Sequence, residues 1–84
     1  MNQSQIIGHL KKIFIEVFEI ETFGIDRTME EISEWDSLKH LQLLSSIEDH
    51  FGIEIQFNDS IEMISVKEII RIVEKYLYED KNYD

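Results

Sequence analysis

The chain has 84 residues, enough for one domain with a small core. Eighteen acidic residues against eight basic ones give a formal net charge of −10, which argues against binding to nucleic acid or an anionic membrane and favours basic protein surfaces. There is no cysteine, so disulfides and thiolate metal sites cannot supplement packing, and any thiol chemistry must come with a cofactor.

The 43% hydrophobic content, rich in Ile and Leu, can build a packed core. No apolar run follows N-terminal charges, and no stretch approaches about 18 uninterrupted apolar residues. Neither a signal peptide nor a membrane span is expected, which points to the cytoplasm.

The first segment carries Ile6, Ile7, Leu10, Ile13, Phe14, Val17 and Phe18 at helical spacing. Asn2 or Ser4 can cap its start, and the helix is expected to end between Phe18 and Glu21. His9, Lys11, Lys12 and Glu16 are expected to face outward. Residues 19 to 35 keep no single period and are punctuated by Gly24. They read as an ordered loop, anchored by Phe23, Ile25, Met29, Ile32 and Trp35, with a short helical turn around Met29 to Ile32.

Asp36 is a good N-cap for a second helix over residues 37 to 51. Its apolar face is expected to comprise Leu38, Leu41, Leu44, Ile47 and Phe51, widened by Leu43. Gly52 suits the helix end, where a left-handed conformation favours glycine. Ile53-Glu54-Ile55-Gln56-Phe57 alternates like a strand. Without a second strand to pair with, an extended loop with inward apolar residues is expected. Asn58 or Asp59 can cap a short third helix through Ile61 and Met63. Ser65 opens the last helix as a capping box with Glu68, above a buried stripe of Val66, Ile69, Ile70, Val73, Tyr76 and Leu77. Residues 79–84 are a polar tail expected to fray.

Ser37 falls in the first turn of the second helix, near free backbone N–H groups and the positive end of the helix dipole. A phosphate attached there is favoured on both counts. Asp36-Ser37-Leu38, the helix behind it, Phe51-Gly52-Ile53-Glu54-Ile55 and Ser65-Val66-Lys67-Glu68-Ile69-Ile70 together resemble an acyl carrier protein over nearly the whole chain.

The resemblance implies an all-α fold over residues 1–84: a four-helix bundle with a long first loop and a short third helix. It also implies that a phosphopantetheinyl transferase attaches 4′-phosphopantetheine, taken from coenzyme A, to Ser37. The thiol of that group would hold acyl intermediates as thioesters for acyl-loading and acyl-transferring enzymes. Asp36, Leu38, Leu41, Glu48 and Asp49 are the expected partner contacts. Leu44, Ile47, Ile55, Ile61 and Ile64 are candidates to line the space between the second and third helices, or are plain core.

Two departures from the family pattern stand out. Glu34 and Trp35 occupy positions where glycine and a small residue are common, as in stand-alone carriers of specialised pathways. Lys39 and Gln42 fall where fatty-acid carriers place acidic residues, so partners built for an acidic helix should be rejected. A monomer that performs no chemistry of its own is expected. Ser37 with His40 one turn later lacks the elbow and oxyanion hole of a hydrolase. His9, His40 and His50 lack metal-ligand spacing. A peptidyl or aminoacyl carrier, or an unmodified helical adaptor, are the other readings.

Overall fold

The structure, a computed structural model, describes residues 2–20 and 22–82. Four helices form among the described residues: α1 (Gln3–Phe18), α2 (Ser37–Phe51), α3 (Phe57–Ser60) and α4 (Val66–Asn82). α1 packs against both α2 and α4. No strand appears among the described residues, although an isolated antiparallel bridge joins Thr28 to Ser65. The fold is the all-α bundle expected, with a long first loop and a short third helix.

α1 begins at Asn2, whose side chain accepts from the Gln5 N–H while the Gln5 side chain accepts from the Asn2 N–H. This reciprocal box satisfies two donors that the helix start would otherwise leave unpaired. Its buried face is Ile6, Leu10, Ile13, Phe14, Val17 and Phe18. Glu19 ends it in the left-handed region, with φ 54°. His9 is half-buried rather than outward, because its ring lies against His50 and Phe51 of α2.

The first loop is tied down by backbone bonds. A turn closes from Arg27 N–H to Gly24 O, and a helical turn from Ile32 N–H to Thr28 O. The Met29 N–H donates to Ile64 O and the Val66 N–H to Arg27 O, fastening the loop to the start of α4. Ile32 and Trp35 are buried, and Met29 and Phe23 pack against the core.

α2 buries Leu43, Ile47 and Phe51, not the stripe that starts at Leu38. At roughly 100° per residue, Leu41 lies about 120° and Leu38 about 180° from the centre of the buried face. Both are accordingly exposed, at 64% and 65%. Gly52 caps the helix with φ 65°. A side chain there is strained by its backbone alone, whatever space surrounds it. Gly52→Ala should therefore cost about 1 kcal/mol, read as a lowered urea midpoint with unchanged slope.

The segment after Gly52 is extended, and it buries Ile53 and half-buries Ile55. Phe57 breaks the expected alternation because α3 starts there and rotates its side chain outward, to 77% exposure. The cap of α3 is Gln56, without a side-chain hydrogen bond, rather than Asn58 or Asp59. α3 ends at Ser60, short of Ile61 and Met63; Met63 is buried in the core below it.

Ser65 Oγ accepts from the Glu68 N–H at 3.2 Å, as expected. The Glu68 carboxylate does not complete a box. It binds the Arg71 guanidinium one turn on, at 2.8 Å. The buried face of α4 is Val66, Ile69, Ile70, Ile72 and Val73, with Tyr76 and Leu77 at its margin. α4 continues to Asn82, into the stretch expected to fray; Tyr83 and Asp84 lie outside the described residues.

Candidate functional site

The end of the first loop delivers Ser37 to the surface. Trp35 is 3% exposed and fits edge-on to Phe14 and tilted against Phe18 of α1, at ring-centroid distances of 5.4 and 5.3 Å. Burial of this indole fixes the approach of the chain to α2 and settles Trp35 as a core anchor. Asp36 then caps the helix, its Oδ1 accepting from the Lys39 N–H at 2.9 Å. Ser37 is the first residue of α2 and is exposed.

His40 is not the exposed neighbour of Ser37 that one helical turn suggests; it is half-buried. Trp35 Nε1–H donates to its Nδ1 at 2.9 Å, and its Nε2 lies 2.9 Å from the Ser60 carbonyl. An indole nitrogen can only donate and a carbonyl can only accept. The two partners together require a neutral ring with its proton on Nε2. Both ring nitrogens are thus occupied, leaving His40 no lone pair with which to act as a base toward Ser37.

Lys39 is turned inward. Its Nζ donates to Val17 O at 3.0 Å, placing a cation on a C-terminal carbonyl of α1. The side chain is half-buried, so its positive charge is shared between the α1–α2 contact and the surface near Ser37. The outward face beside Ser37 carries the exposed side chains of Leu38 and Leu41 with Asp36 and Gln42.

The expected partner contacts fall into two groups. Asp36, Leu38 and Leu41 surround Ser37. Glu48 and Asp49 lie roughly 16 Å farther along the helix axis. There they line an open cavity of about 660 Å³ with Gly52, Ile53, Glu54 and Tyr76. Glu48 also has a structural task, its carboxylate accepting from the Ile55 N–H at 2.8 Å.

α3 brings further apolar surface. Phe57 and Ile61 are exposed, and no α3 side chain is buried. Polar links hold this segment: His40 to Ser60 O from α2, and Tyr76 and Lys75 to Asp59 from α4. Of the five residues proposed for the space between α2 and α3, Ile47 is core and Leu44 and Ile55 are half-buried. Ile61 is exposed, and Ile64 opens onto a groove with Thr28, Met29, Glu30, Ser65 and Glu68.

The phenol of Tyr76, followed by the Lys75 charge, holds the Asp59 carboxyl below its ordinary value of 3.8. A carboxyl whose folded pKa is depressed adds stability above its unfolded value, and loses it as pH falls through the folded one. Tyr76→Phe should therefore flatten the acid limb of the stability profile, from pH 3.8 downward, as read by urea unfolding at stepped pH. An unchanged acid limb would remove Asp59 as a contributor.

Residues 9–73 match the family model for a phosphopantetheine attachment site, and the chain belongs to that family of carrier proteins. Two solved acyl carrier proteins share its fold. The holo protein from Geobacter metallireducens is 25% identical with a TM-score of 0.79, over 92% of this chain and 91% of that one. The protein from Thermotoga maritima is 28% identical with a TM-score of 0.78, over 94% of each chain. A search of curated proteins finds no match. The prosthetic group of this family is covalently attached phosphopantetheine, and its members are carriers rather than catalysts. The residues fit such a group: an exposed hydroxyl opens a helix whose dipole favours a phosphodiester, beside exposed apolar side chains. Among the described residues no helix is long and apolar enough to cross a membrane.

Proposed function

We propose that Ser37 carries the 4′-phosphopantetheine group and that the chain, a cytoplasmic monomer, holds acyl intermediates as thioesters for presentation to other enzymes. The observation that carries this reading is an exposed serine at the first position of a capped helix, inside a chain of the attachment family. When bound, the group supplies a terminal thiol, which a chain without cysteine lacks. The protein's own residues do the rest. Trp35 and Asp36 fix the start of α2, the helix N-terminus favours the phosphate, and Leu38 and Leu41 offer apolar contact to a docking enzyme. Tethering raises the effective concentration of cargo at successive enzymes without any bond-making by the carrier.

The face beside Ser37 supports a dedicated pathway rather than general fatty-acid synthesis. With Lys39 half-buried, and Gln42, Leu38 and Leu41 outward, docking there draws on apolar contact. Acidic attraction beside Ser37 comes from Asp36, and the remaining acidic contacts lie farther along the helix at Glu48 and Asp49.

Intact-protein mass tests the reading. After incubation with coenzyme A and a phosphopantetheinyl transferase, the parent should gain one phosphopantetheine and Ser37→Ala none. The modified protein should then load from acyl donors and not from an aminoacyl-adenylating enzyme. Aminoacyl loading alone would make it a peptidyl carrier, and a mass that never changes would leave an unmodified adaptor.

A further inference from the structure

We propose that His40 is a positioning residue for modification of Ser37, closing a side-chain ring around the first turn of α2 and pinning that turn to α3. This inference rests on Ser37 being the modified residue.

Trp35 and His40 stand five positions apart, on either side of Ser37. The Trp35 Nε1–H to His40 Nδ1 bond, at 2.9 Å, closes the chain on itself across Asp36, Ser37, Leu38 and Lys39. The rings also lie nearly parallel, 25° apart with centroids 6.0 Å from each other. The backbone is closed over the same span, by the His40 N–H donating to Asp36 O at 2.8 Å. Ser37 thus sits in a turn fixed by three bonds, one between backbones, one from the Asp36 cap to the Lys39 N–H, and one between side chains. Trp35 is locked from the other side by Phe14 and Phe18, so the ring is anchored to α1.

The second nitrogen of His40 extends the device. Its Nε2–H donates to Ser60 O, the carbonyl of the last residue of α3. α3 buries no side chain, so polar links such as this one place it. A single imidazole therefore joins the approach to Ser37, the first turn of α2 and α3. Phenylalanine can keep the ring volume and stacking, but neither bond. Glutamine keeps one acceptor and one donor on a flexible stem.

The reaction requires the Ser37 hydroxyl in line with a phosphorus of coenzyme A. The Oγ–P bond forms, the pyrophosphate P–O bond breaks, adenosine 3′,5′-bisphosphate leaves, and the hydroxyl proton passes to a base of the transferase. A turn that wanders weakens this alignment while Leu41, beyond the closed span, keeps its apolar contact and Leu38 stays exposed for docking. The defect should fall on kcat and not on KM for the carrier, because misplaced reacting atoms lower the rate at saturation.

Steady-state modification is measured with the full chain, coenzyme A and a transferase, for the parent, His40→Phe, His40→Gln and Trp35→Phe. Helicity is checked by circular dichroism. The chain has a single tryptophan, so its indole N–H proton gives one NMR signal that reports the Trp35–His40 bond directly. His40→Phe should shift that signal, expose it to solvent exchange and lower kcat about tenfold, with KM within about twofold of the parent. His40→Gln should recover most of the rate. Trp35→Phe removes the donor side of the bond together with part of the packing against Phe14 and Phe18, and should fall with His40→Phe; recovery in His40→Gln separates the lost bond from lost packing, and His40→Leu, which also keeps neither bond, takes the place of His40→Phe if that variant does not fold. Full-rate modification of the Phe variants, or a raised KM at unchanged kcat, would overturn the positioning role. A parent that gains no mass would instead overturn the assignment of Ser37, and this inference with it.

Discussion

Phe14→Ala should destabilise the protein by about 3–5 kcal/mol, a large part of the 5–15 kcal/mol typical of a small domain. Phe14 is fully buried at the middle of the core. Its ring meets Phe18 at 5.3 Å, Phe23 at 5.3 Å and Trp35 at 5.4 Å, the latter two edge-on. Truncation removes the transfer free energy of the ring, leaves a cavity, and forfeits edge-to-face contacts on two sides. Two of those contacts go to the first loop, so the loss is not confined to α1. Chemical unfolding should show a much lower midpoint, and Trp35 emission should shift to the red in the folded baseline as the indole gains water. A midpoint within about 1 kcal/mol of the parent would mean that the loop does not depend on α1 for its position.

The second large effect is expected on recognition with little change in stability. Leu38→Ala with Leu41→Ala removes two side chains that are 65% and 64% exposed, so the folded state should lose less than about 0.5 kcal/mol. If a docking enzyme covers both, each buried side chain is worth about 1.5–3 kcal/mol at full burial. Scaled to the roughly two-thirds of each side chain that is exposed, the pair carries about 2–4 kcal/mol, so the modification efficiency, kcat/KM, should fall about 30- to 1,000-fold, chiefly through KM. Surface contacts that bind ground and transition states alike act on KM. Unchanged efficiency with a cooperative, parent-like melt would remove this face from the docking surface. A large loss of stability would show that these leucines are core residues after all.

That contrast also shows where the sequence was legible. The bounds of α2 could be read from Asp36 and Gly52 because caps are single-residue signals with direct geometric causes. Its buried face could not. Leu38, Leu41, Leu43, Leu44, Ile47 and Phe51 permit more than one stripe at spacings of three and four. Packing against α1 chose Leu43, Ile47 and Phe51. At the start of α1 both Asn2 and Ser4 are possible caps, and the glutamine three residues after Asn2 completes the box that favours Asn2. In α4 the Glu68 carboxylate had two possible partners, and the Arg71 guanidinium prevailed over the Ser65 N–H.

α3 left the weakest trace. Four residues with no buried side chain carry no period, and the start of the helix at Phe57 turned an apparent strand residue into an exposed one. The position of Ser37 was legible from its place after a cap. The His40 links were not. A histidine one turn after a serine suggests a base, and only the positions of Trp35 Nε1 and Ser60 O show that both ring nitrogens are committed. A tertiary contact twenty residues away leaves no local signal.

One hydroxyl, at Ser37, is expected to accept the prosthetic group. Peptide mapping by mass spectrometry, after treatment with coenzyme A and a phosphopantetheinyl transferase, tests it most directly. A single phosphopantetheine is expected on the peptide containing Ser37, lost in Ser37→Ala. Modification at Ser4, Ser33, Ser45, Ser46, Ser60 or Ser65, or persistence of the adduct in Ser37→Ala, would contradict it.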